Sequence, residues 1–387
     1  MKKISALTVF ILMCFIAMAQ QKKVPVFVSG TEGYKSFRIP AIIKLPNGSL
    51  LAFCEGRVHG SGDFGDVNIV LKRSNDNGKT WSPLQTVVDN DLLQAGNCAP
   101  VVDMMDAAYP QGRIFLFYNT GNNNESEVRK GNGLREVWYK TSIDNGNTWS
   151  DAVNITTQVH KPKQPQINAA YNFAEDWRSF ANTPGHAIQL SHGSYKGRIY
   201  IAANHSAGNP QPHGTDYKAN GFYTDDHDKT FHISDDVNIA GGNENMATEL
   251  SGDKLMLNLR NQCGDKKERI IAISNNGGAL WDTAYFDQQL PDPVCQGSIL
   301  TIGEKNGNAI IAVCNNADTV KRDNLTLRIS YDEGKTFKKN IVIAKSTANY
   351  NGDYTAYSDI VQISKKEIGV LYEYDNYKEI IFCAVEF

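Results

Sequence analysis

Arg38 stands in the run FRIPAII, Arg260 in LMLNLRNQ, and both Arg322 and Arg328 in VKRDNLTLRIS. Each puts a guanidinium inside, or just ahead of, a stretch that otherwise reads as an apolar β-strand. An interior arginine costs several kcal/mol unless an anion pairs with it. Taken singly, each is accounted for by a structural ion pair. Several at the leading ends of strands far apart in the chain fit another use, a cluster that grips a carboxylate, because the guanidinium fork matches a carboxylate bidentately. Such a cluster needs a fold that brings distant strand ends to one place.

The chain writes one turn five times: SNDNGKTW from Ser74, SIDNGNTW from Ser142, TDDHDKTF from Thr224, SNNGGALW from Ser274 and SYDEGKTF from Ser330. The aspartates Asp76, Asp144 and Asp332 can accept hydrogen bonds from nearby backbone N–H groups and close the turn. Gly78, Gly146 and Gly334 supply the positive φ of a tight hairpin, and Trp81, Trp149 and Phe337 are expected to bury a ring beneath it. A strand-like run precedes the turns (VNIVLKR, REVWYKT, ERIIAIS, LTLRIS), so the unit is a hairpin with a stapled corner. Copies start about 50 to 80 residues apart, room for one four-stranded sheet each, and helical signals are nearly absent. This pattern predicts an all-β, six-bladed β-propeller with one blade lacking the turn. The end segments VPVFVSG and EIIFCAVEF are expected to pair in one blade and close the ring. The turns themselves are read as structural, remote from any ligand.

Hydrophobic residues make up 41% and charged residues 21% of the chain, as in a soluble globular protein. The net charge of −3 gives no basic footprint for nucleic acid. Residues 1–19 read as a signal peptide: Lys2 and Lys3, an apolar run from Ile4 to Phe15, and the A-x-A site Ala17-Met18-Ala19. That run is too short for a transmembrane segment. Residues 20–387 are expected to form one domain, exported to the periplasm, cell surface or medium. Six cysteines follow the leader, with no zinc-like spacing; they read as buried thiols.

The chain resembles the exo-sialidases (neuraminidases). The resemblance is carried by YKSFRIP, EGRVHGSGDFGDVNIVLKRS, the Asp-box turns, NENMATEL with LNLRNQ, RDNL and YTAYSDI, in family order across the whole chain beyond the leader. It implies a six-bladed propeller that hydrolyses terminal α-linked sialic acids on glycoproteins, glycolipids and oligosaccharides. It implies Arg38, Arg260 and Arg322 as the triad that grips the sialic acid carboxylate, Arg322 being preferred to Arg328 because RDNL matches the family's third arginine. Arg57 corresponds to a further arginine beside that end of the pocket. Asp63 matches the acid/base carboxylate, with Asp66 read as a turn cap. Tyr357 matches the nucleophile and Glu244 the carboxylate that activates it, Glu249 being the competing position. No acidic metal loop stands out; no cofactor, and a monomer, are expected.

The pairing of a phenol with a carboxylate has a physical basis. Sialic acid carries a carboxylate on its anomeric carbon, so an anionic nucleophile would approach against like charge in a poorly solvated pocket. A tyrosine approaches neutral and passes its proton to Glu244 as it attacks; sialidases are among the known exceptions to the two-carboxylate rule. In GNCAPVVD the family shapes the pocket for the N-acetyl group. In NTPGHAIQLSHG, His186 replaces a small residue, and Gln189 either faces the pocket or belongs to a rim loop. Two rival readings are a non-catalytic Asp-box propeller and a two-carboxylate glycosidase. The Tyr/Glu pair argues against the first, the arginine trio against the second.

Overall fold

The computed structural model describes residues 22–387, so the leader expected over 1–19 lies outside the described residues. The sheets are antiparallel and follow in chain order: blade I over 36–88, blade II over 94–154, blade III over 177–233, blade IV over 242–291, blade V over 298–344, and blade VI over 355–386 completed by Val24–Val28. Blades I and II count as one hydrogen-bonded sheet only because a single parallel pair, Val67 with Gln94, bridges them. In blade III the inner strand is broken into Trp177–Asn182 and Ile188–Gln189, both pairing with Ile199–Ala207. Together these make the six-bladed propeller.

The chain ends meet as expected. Val24–Val28 pairs with Glu379–Glu386 as the outer strand of blade VI. This also explains the count of five turns. Each turn joins the third strand of a blade to its fourth, and in blade VI those strands are the two ends of the chain.

The turns are stapled alike. Asp76 accepts hydrogen bonds from Ser74 Oγ (2.8 Å), the Thr80 amide (2.9 Å) and Thr80 Oγ1 (2.6 Å), while Ser74 Oγ accepts from the Gly78 amide at 2.8 Å. Asp144, Asp226 and Asp332 repeat this, and Asn276 takes the same place in the fourth copy. Gly78, Gly146 and Gly334 have φ of 84°, 82° and 83°. One expectation changes: the turn's ring packs across to the preceding blade rather than simply beneath its own turn. Trp81 meets Phe382 of blade VI, Trp149 meets Phe53 of blade I, Phe231 meets Phe117 of blade II, and Trp281 meets Tyr200 of blade III. The repeated turn is therefore an inter-blade rivet, and edge-to-face rings are well suited to it.

Every boundary between neighbouring blades has its own apolar cluster. Inner strands are accordingly buried on both faces: in Ser36–Lys44 all but the last residue is buried. The cluster between blades II and III contains a polar flaw. His160 is fully buried, its ring 4.8 Å from Phe180, and neither ring nitrogen has a partner. Burial, with the charge of His205, holds it well below the ordinary imidazole value. The unfolded chain takes up a proton as the pH falls through about 6.5 while the folded chain refuses it, so stability is full above that value and declines below it. We expect melting temperature to drop by roughly 2–3 °C per pH unit below pH 6.5, and His160→Phe to flatten that slope in a thermal melt series. An unchanged slope would clear His160.

Candidate active site

A propeller's inner strands would run straight past the hub if they were regular. Here all six carry a register shift, among them those between Arg38 and Ala41, Gly96 and Ala99, Gly242 and Asn245, and Thr355 and Ser358. A bulge kinks the strand and re-aims a side chain. Ile39 and Asn97 sit there at φ of 58° and 52°, and positive φ is strained for a β-branched residue such as isoleucine. Ile39, Asn97, Asn243, Glu244 and Tyr357 all line one cavity of about 290 Å³, closed in also by Arg57, Asp63 and Arg260.

At its floor the Tyr357 hydroxyl lies 2.7 and 2.9 Å from the two carboxylate oxygens of Glu244, and Arg260 Nη1 donates both to that hydroxyl (2.9 Å) and to Glu244 (2.8 Å). Arg38 and Arg322 stand close by, each guanidinium carbon 5.7 Å from the centre of the Tyr357 ring. The three arginines thus converge around one phenol. Burial and the Glu244 charge push that phenol well above its ordinary value, while Arg260 and Arg322 pull the other way. The hydroxyl is therefore protonated at rest.

The arginines are held by groups that sequence reasoning missed. Glu373, fully buried, accepts from Arg38 Nε at 2.6 Å, from the Ile39 amide at 2.9 Å and from the Tyr357 amide at 3.1 Å. Arg322 donates to the Tyr377 hydroxyl at 3.1 Å and lies 3.9 Å from Asp353. Glu55 binds Arg57, and Arg57 Nη1 reaches Asp63 at 2.8 Å. Burial alone would raise the Asp63 carboxyl, but the charge and hydrogen bond of Arg57, with Arg38 and Arg135, bring it below its usual range. Its side chain is 77% exposed at the cavity mouth, so solvent screens that pull. The far wall is polar: Glu125 accepts from Ser179 Oγ and the Tyr217 hydroxyl, each at 2.6 Å, with Arg135 and Gln94 beside it.

The alternatives fall elsewhere. Glu249 accepts from the amides and hydroxyl of Ser191 and His192's amide, outside the cavity. Arg328 donates to Asn315 in its own sheet, and Asp66 lines the space behind the Asp63 loop. Gln189 donates to Asp103 and the Gly197 carbonyl, away from the cavity. His186 is buried at the hub against Asp359, which also receives the Ile42 amide and so ties blades I, III and VI together. Among the described residues one trio, Asp103, Asp106 and His227, has metal-like spacing, but Arg113 already pairs with Asp106 at 3.1 Å and His227 with Asp103 at 2.6 Å.

The sequence pattern of the BNR repeat-like domain matches residues 48–370. The sialidase of Micromonospora viridifaciens is 29% identical over 365 residues, 89% of this chain and 51% of that protein, so this chain spans about half its length. The exo-alpha-sialidase of Arthroderma benhamiae is 30% identical over 369 residues, covering 90% of this chain and 80% of that protein. Among solved structures, the Hadza microbial sialidase Hz136 superposes with a TM-score of 0.75 at 22% identity over 94% of this chain and 68% of its own. The intramolecular trans-sialidase from Ruminococcus gnavus does so with a TM-score of 0.69 at 16% identity over 96% and 98%. Repeat pattern, similarity over about nine-tenths of this chain and propeller agree, and the chain belongs to the sialidase family built on BNR, or Asp-box, repeats.

Proposed function

We propose that the protein is an exo-α-sialidase, a glycoside hydrolase that removes terminal α-linked sialic acid from glycoproteins, glycolipids and oligosaccharides with retention of configuration through a tyrosyl-glycosyl intermediate. The observation that carries this reading is the Tyr357 hydroxyl held against both oxygens of Glu244, with Arg260 bonded to it and Arg38 and Arg322 close to its ring. The fork of Arg38, Arg260 and Arg322 seats the substrate carboxylate. That places the anomeric carbon over the phenol, and Glu244 takes the phenolic proton as the C–O bond forms. Asp63, at the mouth, gives its proton to the departing oxygen and then withdraws one from the water that releases the sugar, while Glu244 returns its proton to the Tyr357 oxygen. Two displacements at one carbon return the original anomer.

The leader-like sequence of residues 1–19 is what supports export, and sialoglycans outside the cytoplasm are the proposed substrates. The test is release of free sialic acid from sialyl-lactose, with proton NMR of the first-formed anomer. We expect the α-anomer first, mutarotating to β. Release of β first would overturn retention, and no release from α2,3-, α2,6- or α2,8-linked substrates would overturn the activity.

A further inference from the structure

Glu55 is only 1% exposed, and a buried carboxylate is tolerated only when its charge and lone pairs are met. Its Oε2 accepts from Arg57 Nη2 at 2.6 Å and Nε at 3.0 Å, and its Oε1 accepts from the Asn97 amide at 2.9 Å. The approach is tight: a Cβ on Gly96 would lie 2.3 Å from Oε1, so only glycine admits the carboxylate there. With Nε and Nη2 committed, Arg57 keeps Nη1 for the next loop, where it donates to the Ser61 carbonyl at 2.5 Å and to Asp63 at 2.8 Å. That loop contains Gly60, Gly62 and Gly65, and among the described residues Arg57 is the one hydrogen-bond partner of the Asp63 carboxylate.

We propose that Glu55 is a positioning residue for the leaving-group proton: by locking Arg57 it places Asp63, and by offsetting the charge of Arg57 it limits how strongly Asp63 is driven to give that proton up. The inference rests on reading Asp63 as the acid. Three cations face Asp63, namely Arg57, Arg38 and Arg135. The acidic groups of the same cavity are Glu55, Glu125, Glu244 and Tyr357. Glu55 is the one bonded to the guanidinium that Asp63 touches. Without its charge, Arg57 favours ionised Asp63 more strongly, and the proton is surrendered at lower pH.

The experiment compares two substrates. From sialyl-lactose the leaving group is a sugar hydroxyl, which departs poorly as an alkoxide and needs protonation, whereas from a 4-methylumbelliferyl sialoside the aglycone leaves as a stabilised phenolate. In Glu55→Gln, the ratio of kcat/KM for sialyl-lactose to that for the aryl sialoside should fall about tenfold, a fraction of what general acid catalysis contributes. The alkaline limb of the sialyl-lactose pH profile should move to lower pH. In an Asp63→Asn background the same change should leave the ratio where Asp63→Asn puts it. Should Glu55→Gln melt below assay temperature, Glu55→Asp replaces it; too short to reach Arg57 and Asn97 together, it should lower the ratio also. Equal losses on both substrates with an unmoved pH profile overturn the proposal. A wild type inert on both substrates would instead overturn the sialidase reading.

Discussion

Tyr357→Phe lowers kcat by at least about three orders of magnitude and changes KM little, the pattern of a group that acts on the reacting atom rather than on binding. The substitution removes one oxygen and leaves the ring near Arg38 and Arg322, each 5.7 Å from its centre. The carboxylate grip therefore survives. Arg260 keeps its 2.8 Å contact with Glu244, so no charge is stranded by loss of the hydroxyl. Melting temperature should stay within a few degrees of wild type. Glu244→Gln gives the converse probe, because the phenol remains but its proton acceptor is gone. Its kcat should fall as well, with a smaller loss for the aryl sialoside. Steady-state kinetics on both substrates, alongside thermal melts, measure this. If Tyr357→Phe turns over near the wild-type rate, the phenol is not the nucleophile, although the propeller stands.

The architecture was legible because the five turns repeat and because hairpin chemistry is local. Asp76, Ser74 and Gly78 do their work within a few residues of one another, so the staple can be read off the chain. The destination of Trp81 could not be read, since its partner Phe382 lies at the other end of the sequence. The same divide runs through the site. Arg38 and Arg260 drew notice as charges inside apolar runs. Glu55 in AFCEGR and Glu373 in VLYEYD carry the identical signal, and a rule applied to both signs of charge would have found the counterions with the arginines. Glu125 offered no such cue, because it lies on a short helix in a polar segment and meets Ser179 and Tyr217 only through the fold. The bulges were equally hidden. Nothing local in FRIPAII announces that Ile39 adopts φ of 58°; in that conformation its amide meets an acceptor, Glu373, that lies across the blade boundary.

Glu373→Gln is therefore expected to damage stability and binding together, and a second substitution separates the two. The wild-type carboxylate pairs with an Arg38 that is 8% exposed and also receives the amides of Ile39 and Tyr357. Removing one partner of a buried pair leaves a charge without compensation, a loss of about 3–5 kcal/mol. Glutamine keeps one oxygen for a backbone amide, which puts the expected cost near 3 kcal/mol. Freed from its anchor, Arg38 no longer presents its fork to the substrate, and KM should rise by about 10- to 100-fold, the worth of a charge-assisted hydrogen bond or two. In Arg38→Met/Glu373→Gln no charge remains to be desolvated, so much of the stability should return, as it does when buried ion pairs are replaced by apolar groups. The high KM should not recover, because the grip on the carboxylate is still missing. Urea unfolding and KM measured on the single and double variants test this directly. Recovery of KM along with stability would mean that Arg38 serves the fold and not the substrate.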